Sequence, residues 1–216
     1  MQEIQRIAAV NDLSGFGRCS LTVSIPVLSA MGFQVCPVPT AVLSSHTGYP
    51  HPHIRDFTAD MEAYLAQWER LGLTFACGYT GFLGNEQQAE ILEPFLARLK
   101  EQGAMRLVDP AMADHGKLYG GFPEDFPMQM TRLCAKADIV TPNITEAAFM
   151  CGLPYCEAPH TREYIDSLLE GLKNICKGKI VLTGVSFNQG EIGAACFDGN
   201  KTEYIFAPLV DAAYHG

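Results

Sequence analysis

Two short segments carry carboxylates at spacings that suit cation and phosphate chemistry. Asp109 stands directly after the strand-like segment Met105–Val108 and opens Asp-Pro-Ala-Met-Ala-Asp-His-Gly-Lys-Leu-Tyr, residues 109–119. Asn143 and Glu146 lie three residues apart where a helix should begin, so the amide and the carboxylate can face one side. Such a set could hold hydrated magnesium, which keeps several waters and uses few carboxylates. The same spacing also makes a capping box, with Asn143 as N-cap and Glu146 at the third helical position. The two readings are compatible. A third polar segment, Asn11–Arg18, sits between a strand and a helix. It holds Gly-x-Gly without the third glycine of a dinucleotide fingerprint, and reads equally well as a tight turn. A fourth, Thr40–Tyr49, is rich in donors and acceptors and carries two rings, His46 and Tyr49. It could face a polar aromatic ligand with His46 stacking, or be an ordinary polar loop. His51 and His53 alternate with prolines, and no third metal ligand is evident. Gly-x-x-x-x-Gly-Lys-Ser/Thr occurs nowhere, which disfavours a P-loop nucleotidase.

These segments must be positioned by regular elements, and the chain alternates strand-like and helix-like patterns. Strands are expected at Ile7–Val10, Phe33–Val38, Leu73–Cys77, Met105–Val108, Ala137–Val140 and Lys179–Leu182. A late hairpin, Glu191–Phe197 with Thr202–Phe206, turns at Asp198-Gly199-Asn200. Helices are expected at Leu21–Met31, Phe57–Leu71, Asn85–Lys100, Thr145–Cys151 and Arg162–Ile175. Such alternation implies a mainly parallel sheet with helices on both faces. Ligands of such sheets bind outside the carboxyl ends of the strands. The polar clusters fall at those ends: Asn11-Asp12, Ser44-Ser45-His46, Gly78-Tyr79, Asp109, Asn143 and Thr183-Gly184.

The 216 residues suffice for one α/β domain. A hydrophobic fraction of 48% against 18% charged gives material for a real core. The net charge of -9 argues against nucleic-acid and anionic-membrane partners. Anionic substrates must then be met by local donors. No apolar run is long enough to cross a bilayer, and the N-terminus does not read as a signal peptide. The eight cysteines are scattered without a Cys-x-x-Cys pair. They are expected to be small buried hydrophobes in a reducing, cytoplasmic protein.

Taken together, the segments resemble the ribokinase-like superfamily, and within it the pyridoxal (pyridoxine, pyridoxamine) kinases. The matching pieces, in chain order, are Asn11-Asp12-Leu13-Ser14-Gly15, Ser45-His46-Thr47-Gly48-Tyr49, Gly78-Tyr79-x-Gly81 and the Asp109–Tyr119 segment. Thr141-Pro142-Asn143-x-x-Glu146-Ala147 and Val181-Leu182-Thr183-Gly184 complete the set. The first loop also looks like that of hydroxymethylpyrimidine (phosphate) kinases; Ser-His-Thr-Gly-Tyr tilts the resemblance toward pyridoxal. It implies a three-layer ribokinase-like α/β fold and transfer of the ATP γ-phosphoryl group to the 5'-hydroxymethyl of a B6 vitamer. It also implies ATP and Mg²⁺ as cofactors and a homodimer. By this resemblance Asp12, Ser14, Thr40, His46, Thr47 and Tyr79 line the vitamer side. Asp109, Asn143, Glu146, Thr183 and Gly216 serve the nucleotide and phosphate side, with Asp109 and Glu146 holding the metal through water. One departure stands out. The family carries Gly-Thr-Gly-Asp after its late strands, supplying the anion hole and the base. Here Gly216 falls where the first glycine belongs, so the base is expected just beyond it and no residue from 1 to 216 is assigned that role. Residues 1–216 are thus expected to be a single ribokinase-like domain that stops inside a motif. Either it belongs to a longer kinase, or it is a non-catalytic vitamer-binding module.

Overall fold

The computed structural model describes residues 4–210, so Gly216 lies outside the described residues. The chain divides into two compact units, with the division after Arg106.

In the first unit, β1 (Arg6–Ser14) leads through α1 (Leu21–Ala30) to β2 (Gln34–Leu43) and the short β3 (Ile54–Asp56). Then come α2 (Thr58–Arg70), β4 (Cys77–Thr80) and α3 (Glu86–Glu101). The strand order is β4-β1-β2-β3, with β1 parallel to both β2 and β4, and β3 antiparallel to β2. Six consecutive residues of β1, Ile7–Asp12, are buried. A strand buried without alternation is covered on both faces, as parallel sheets require. α3 shows how the sequence specifies a helix here. Asn85 caps it by accepting the Gln88 N–H at 3.0 Å, and Leu92, Phe95, Leu96 and Leu99 bury one face at helical spacing.

β2 contains Pro37 and Pro39, residues that cannot donate to a ladder. Both stand opposite β1 (Ala9 and Asn11) at positions β3 does not reach, since β3 pairs only with Ala41–Leu43. Their nitrogens therefore belong on the side away from β1, where prolines are tolerated. The Pro37 carbonyl on that side accepts the Tyr64 hydroxyl of α2 at 2.9 Å.

In the second unit, β5 (Met105–Val108) contributes Leu107 and Val108. It is followed by a small hairpin, β6 (Ala113–Asp114) and β7 (Lys117–Leu118), and by α4 (Phe126–Cys134) and β8 (Ile139–Val140). α5 (Ile144–Cys151), α6 (Arg162–Ile175), β9 (Lys179–Val185), β10 (Glu191–Phe197) and β11 (Thr202–Pro208) complete it. The order is β11-β10-β9-β8-β5, parallel from β5 to β9 and antiparallel beyond. α6 buries Ile165, Leu168, Leu169 and Leu172, spaced as one helical face, and Thr161 caps it through the Tyr164 N–H. Among the described residues no helix is long and apolar enough to cross a membrane.

Several expectations need correction. The polar segment from Asn11 is not loop at its start: β1 runs through Ser14, and β2 likewise runs on to Leu43. The third strand is Cys77–Thr80 rather than Leu73–Cys77. Pairing with β1 decides its register, and Gly78 fits because a Cβ there would lie 2.3 Å from Leu99 Cδ1. β3, α4 and the β6–β7 hairpin were not anticipated. α4 buries Phe126, Met130, Leu133 and Cys134, a helical spacing hidden behind Gly120, Gly121 and two prolines. Of the eight cysteines only Cys134 and Cys176 are buried; Cys156 is exposed.

Candidate active site

In the first unit the polar groups gather where β1 and β2 end. Asp12 and Ser14 are both buried, and the Ser14 hydroxyl donates to Asp12 Oδ2 at 3.0 Å. Alternation along the strand puts their side chains on one face. Thr40 is completely buried: its hydroxyl donates to the Phe82 carbonyl at 2.9 Å, while its own carbonyl accepts Gln88 Nε2 at 2.8 Å and the Phe57 N–H at 3.0 Å. Thr40 is thereby a fixed part of the wall. Beyond the strands, Gly15 donates to the Leu43 carbonyl at 2.8 Å and His46 donates to the Phe16 carbonyl at 3.0 Å, so the two loops run together.

Three rings stand there. Phe16 and Tyr49 have centroids 5.1 Å apart, His46 and Tyr49 4.9 Å. His46 Nδ1 accepts the Gly48 N–H at 2.9 Å, which leaves the neutral ring's proton on Nε2, a donor. Gly17 explains why the ring fits. Its φ is +80°, and a Cβ there would lie 2.2 Å from His46 Cδ2. Thr47 is exposed, and Tyr79 is half-buried in β4 opposite Ala9.

In the sequence Asn11 stands in the Asn11–Arg18 polar segment and in the family-like motif without a role of its own, and Gln88 is not singled out. Asn11 Oδ1 accepts the N–H groups of Asp12 at 3.0 Å and Phe82 at 2.9 Å, tying the end of β1 to the segment after β4. Gln88 is fully buried, and beyond Thr40 it donates to Thr58 Oγ1 and accepts the Gly84 N–H. A glutamine at the third position of a capped helix is the one signal that hinted at it.

In the second unit Asp109 follows β5 and Glu146 opens α5. Glu146 is 2% exposed. The capping box is present: Asn143 Oδ1 accepts the Glu146 N–H at 2.9 Å, and Glu146 Oε2 accepts the Asn143 N–H at 2.8 Å. The box does not exhaust either residue. Glu146 Oε1 also accepts the Met112 N–H at 3.1 Å, and Asn143 Nδ2 donates to the Ala113 carbonyl at 2.8 Å. Thr145, unremarked in the sequence, accepts the Gly116 N–H at 3.1 Å. Thr183 donates its N–H to the Pro142 carbonyl at 2.9 Å and forms a parallel bridge with Asn143, which brings the end of β9 beside the α5 N-terminus.

Burial pushes the Asp109 carboxyl up to about 7. Burial pushes Glu146 up to about 8, and the Asp109 charge adds to it, against hydrogen bonds from the Asn143, Met112 and Ala113 backbone. Tyr119 is also raised, by burial first and then by Glu146, Asp114 and Asp109. A buried Glu146 whose ionisation the charge of the half-buried Asp109 opposes makes a pair suited to a shared cation. The donor set is all hard oxygen, and among the described residues no group of three or more His, Cys, Asp or Glu could hold an ion. An ion held here must keep most of its waters, which fits magnesium and not zinc.

A family profile described as phosphomethylpyrimidine kinase matches residues 26–216. The chain belongs to that family. Among curated relatives it is 31% identical over 161 residues to a pyridoxine/pyridoxal/pyridoxamine kinase of Bordetella pertussis, covering 72% of this chain and 57% of that one. The chain spans only about half to three fifths of the first such relatives, 50% to 60% of their lengths. Among solved structures it resembles a candidate phosphomethylpyrimidine kinase of Bacteroides thetaiotaomicron, crystallised with pyridoxal. The identity is 37% and the TM-score 0.90, over 96% of this chain and 74% of that one. It also resembles a pyridoxal kinase of Lactobacillus plantarum, at 30% identity and a TM-score of 0.87 over 98% of this chain and 75% of that one. The expected α/β class, with its mainly parallel sheet and ribokinase-like topology, is thus the fold observed.

Proposed function

We propose that the protein to which this chain belongs is a pyridoxal kinase, transferring the γ-phosphoryl group of ATP to the 5'-hydroxymethyl of a B6 vitamer. The observation that carries the reading is the match over nearly the whole chain to a family member crystallised with pyridoxal. The local chemistry agrees. In the first unit Asp12, Ser14 and the His46 Nε2–H offer acceptor and donor groups for ring substituents, and His46 and Tyr49 offer faces for a heteroaromatic ring. Thr47 and Tyr79 complete that side, and Thr40 fixes its wall. In the second unit Asp109 and Glu146 would hold Mg²⁺, and Asn143 and Thr183 would serve the nucleotide phosphates. Bound magnesium would supply positive charge against the phosphate oxygens and relieve the repulsion between the two carboxylates.

Phosphoryl transfer asks a protein for positioning and charge stabilisation more than for covalent chemistry. This chain's residues do the first: they hold the vitamer ring, keep its hydroxymethyl in register and fix the carboxylates. By the family resemblance Gly216 would serve the phosphate side. A positioned general base is worth about 10²–10⁴ in rate, and no described residue is assigned that role. Residues 1–216 function as a single domain, and the enzyme works as a cytoplasmic homodimer, which sedimentation of the full-length protein tests.

The family's description favours a second reading, phosphorylation of hydroxymethylpyrimidine or its phosphate. One assay separates the two. The full-length gene product, given magnesium-ATP and either alcohol, should phosphorylate pyridoxal with the higher kcat/KM. Turnover of the pyrimidine alone would overturn the reading, and pyridoxal binding without turnover of either would leave a vitamer-binding module.

A further inference from the structure

The segment after Asp109 is a hairpin, and α5 grips it at three points. Glu146 Oε1 accepts from Met112, Asn143 Nδ2 donates to the Ala113 carbonyl, and Thr145 Oγ1 accepts from Gly116. The first two belong to the capping box and the proposed phosphate side. The third has no such explanation. Thr145 is 2% exposed, so its hydroxyl stands where an unpaired donor or acceptor is costly. Its partner is the pivot of the turn: Gly116 has φ +73°, and a Cβ there would lie 2.6 Å from Tyr155 Cδ1. The turn is therefore pressed by the Tyr155 ring and tethered by the Thr145 hydroxyl. Between the three grips lie Asp114, whose charge reaches Tyr119, and the exposed His115, with φ +48°. Lys117 follows directly in β7.

We propose that Thr145 is a positioning residue: by accepting the Gly116 N–H it fixes the 113–118 hairpin against α5 and so sets the affinity for magnesium-ATP. A tethered hairpin meets the nucleotide already arranged, and an untethered one must be ordered at the moment of binding. The functional half of this rests on the kinase reading; the tether itself does not.

The test uses the full-length protein and three variants. Thr145→Val keeps the shape and removes the hydroxyl, Thr145→Ser keeps the hydroxyl, and Gly116→Ala disturbs the turn from the opposite side with α5 intact. Hydrogen exchange of the Gly116 amide reads the tether. Calorimetric titration with magnesium-ATP, and separately with pyridoxal, reads the consequence. Thr145→Val should speed Gly116 exchange and weaken magnesium-ATP binding by roughly two- to ten-fold, the worth of one hydrogen bond, with pyridoxal affinity unchanged. Thr145→Ser should restore both, and Gly116→Ala should reproduce the nucleotide loss. Unchanged Gly116 exchange in Thr145→Val overturns the tether. Faster exchange with unchanged nucleotide affinity, or an equal loss of pyridoxal affinity, overturns its functional role. A wild-type protein that binds no magnesium-ATP removes the kinase reading, while Gly116 exchange still decides the tether.

Discussion

Glu146 carries three duties at once: helix cap, anchor of the Met112 amide and partner of Asp109. Its carboxyl is held near 8 against an unfolded value of 4.5, so between those limits the folded state keeps a proton that the unfolded chain has released. Folding then takes up a proton, and stability falls as pH rises from about 4.5 through about 8. Below that window the contribution is fully present. The melting temperature in metal-free buffer should therefore drop between pH 5 and pH 8.5, beyond the trend from other groups. Millimolar magnesium should shrink the drop. Glu146→Gln should make the slope shallower, leaving the part that Asp109 contributes through its own raised value of about 7. It also lowers the level of the curve: a glutamine has one acceptor where both Glu146 oxygens accept backbone N–H groups. Scanning calorimetry across pH decides the matter, and a variant with the wild-type slope would assign the raised ionisation to other groups. The capping reading and the cation reading, both open at the level of spacing, thus separate by slope and offset.

The elements that hold these residues were legible to different degrees, for physical reasons. Patterns set within one segment were readable. The bounds expected for Met105–Val108, Arg162–Ile175 and Glu191–Phe197 are those observed, because apolar period and flanking turn residues specify them locally. Patterns set by a distant partner were not. β2 continues through Pro37 and Pro39 only because its β1 partner leaves their nitrogens on the outer side. The two-residue strands of the β6–β7 hairpin, too short to read from the sequence, are tied to Asn143 and Thr145 some 30 residues on. In the candidate site, Asp109, Asn143 and Glu146 could be named from a motif, whereas Gln88 is defined by groups 30 and 48 residues away. Its replacement measures that long-range dependence. Gln88→Met keeps the length and removes the polar atoms, leaving the Gly84 N–H without the acceptor it has at 2.8 Å. An orphaned buried donor costs about 1–3 kcal/mol, which for a chain of this size lowers the melting temperature by roughly 2–10 °C. Since Thr40 and Thr58 both lean on Gln88, pyridoxal affinity should fall as well. A melting temperature within 1 °C of wild type would show that the network relaxes around the loss.

At the scale of the molecule, the chemistry is divided by unit: ring-facing groups lie before the boundary after Arg106, and the carboxylate pair lies after it. This division has a thermodynamic signature. A ligand that binds only the folded state stabilises it by RT ln(1 + [L]/Kd), about 2.7 kcal/mol at a hundredfold excess over Kd, and slows exchange most where it suppresses local opening. Pyridoxal alone should slow amide exchange at residues 15–17 and 43–49. There the backbone bonds Gly15 to Leu43, His46 to Phe16 and Gly48 to His46 join two loops that rings flank. Magnesium-ATP alone should slow exchange at residues 112–118 and at the first turn of α5. His46→Ala should abolish the first pattern and leave the second, because the His46 ring belongs to the ring-facing group of the first unit. Peptide-resolved exchange on the full-length protein, with each ligand separately and together, makes the comparison. If pyridoxal protected only 112–118, or if His46→Ala erased both patterns equally, the assignment of vitamer and nucleotide to separate units would be wrong. The residues now placed on the vitamer side would then need another ligand.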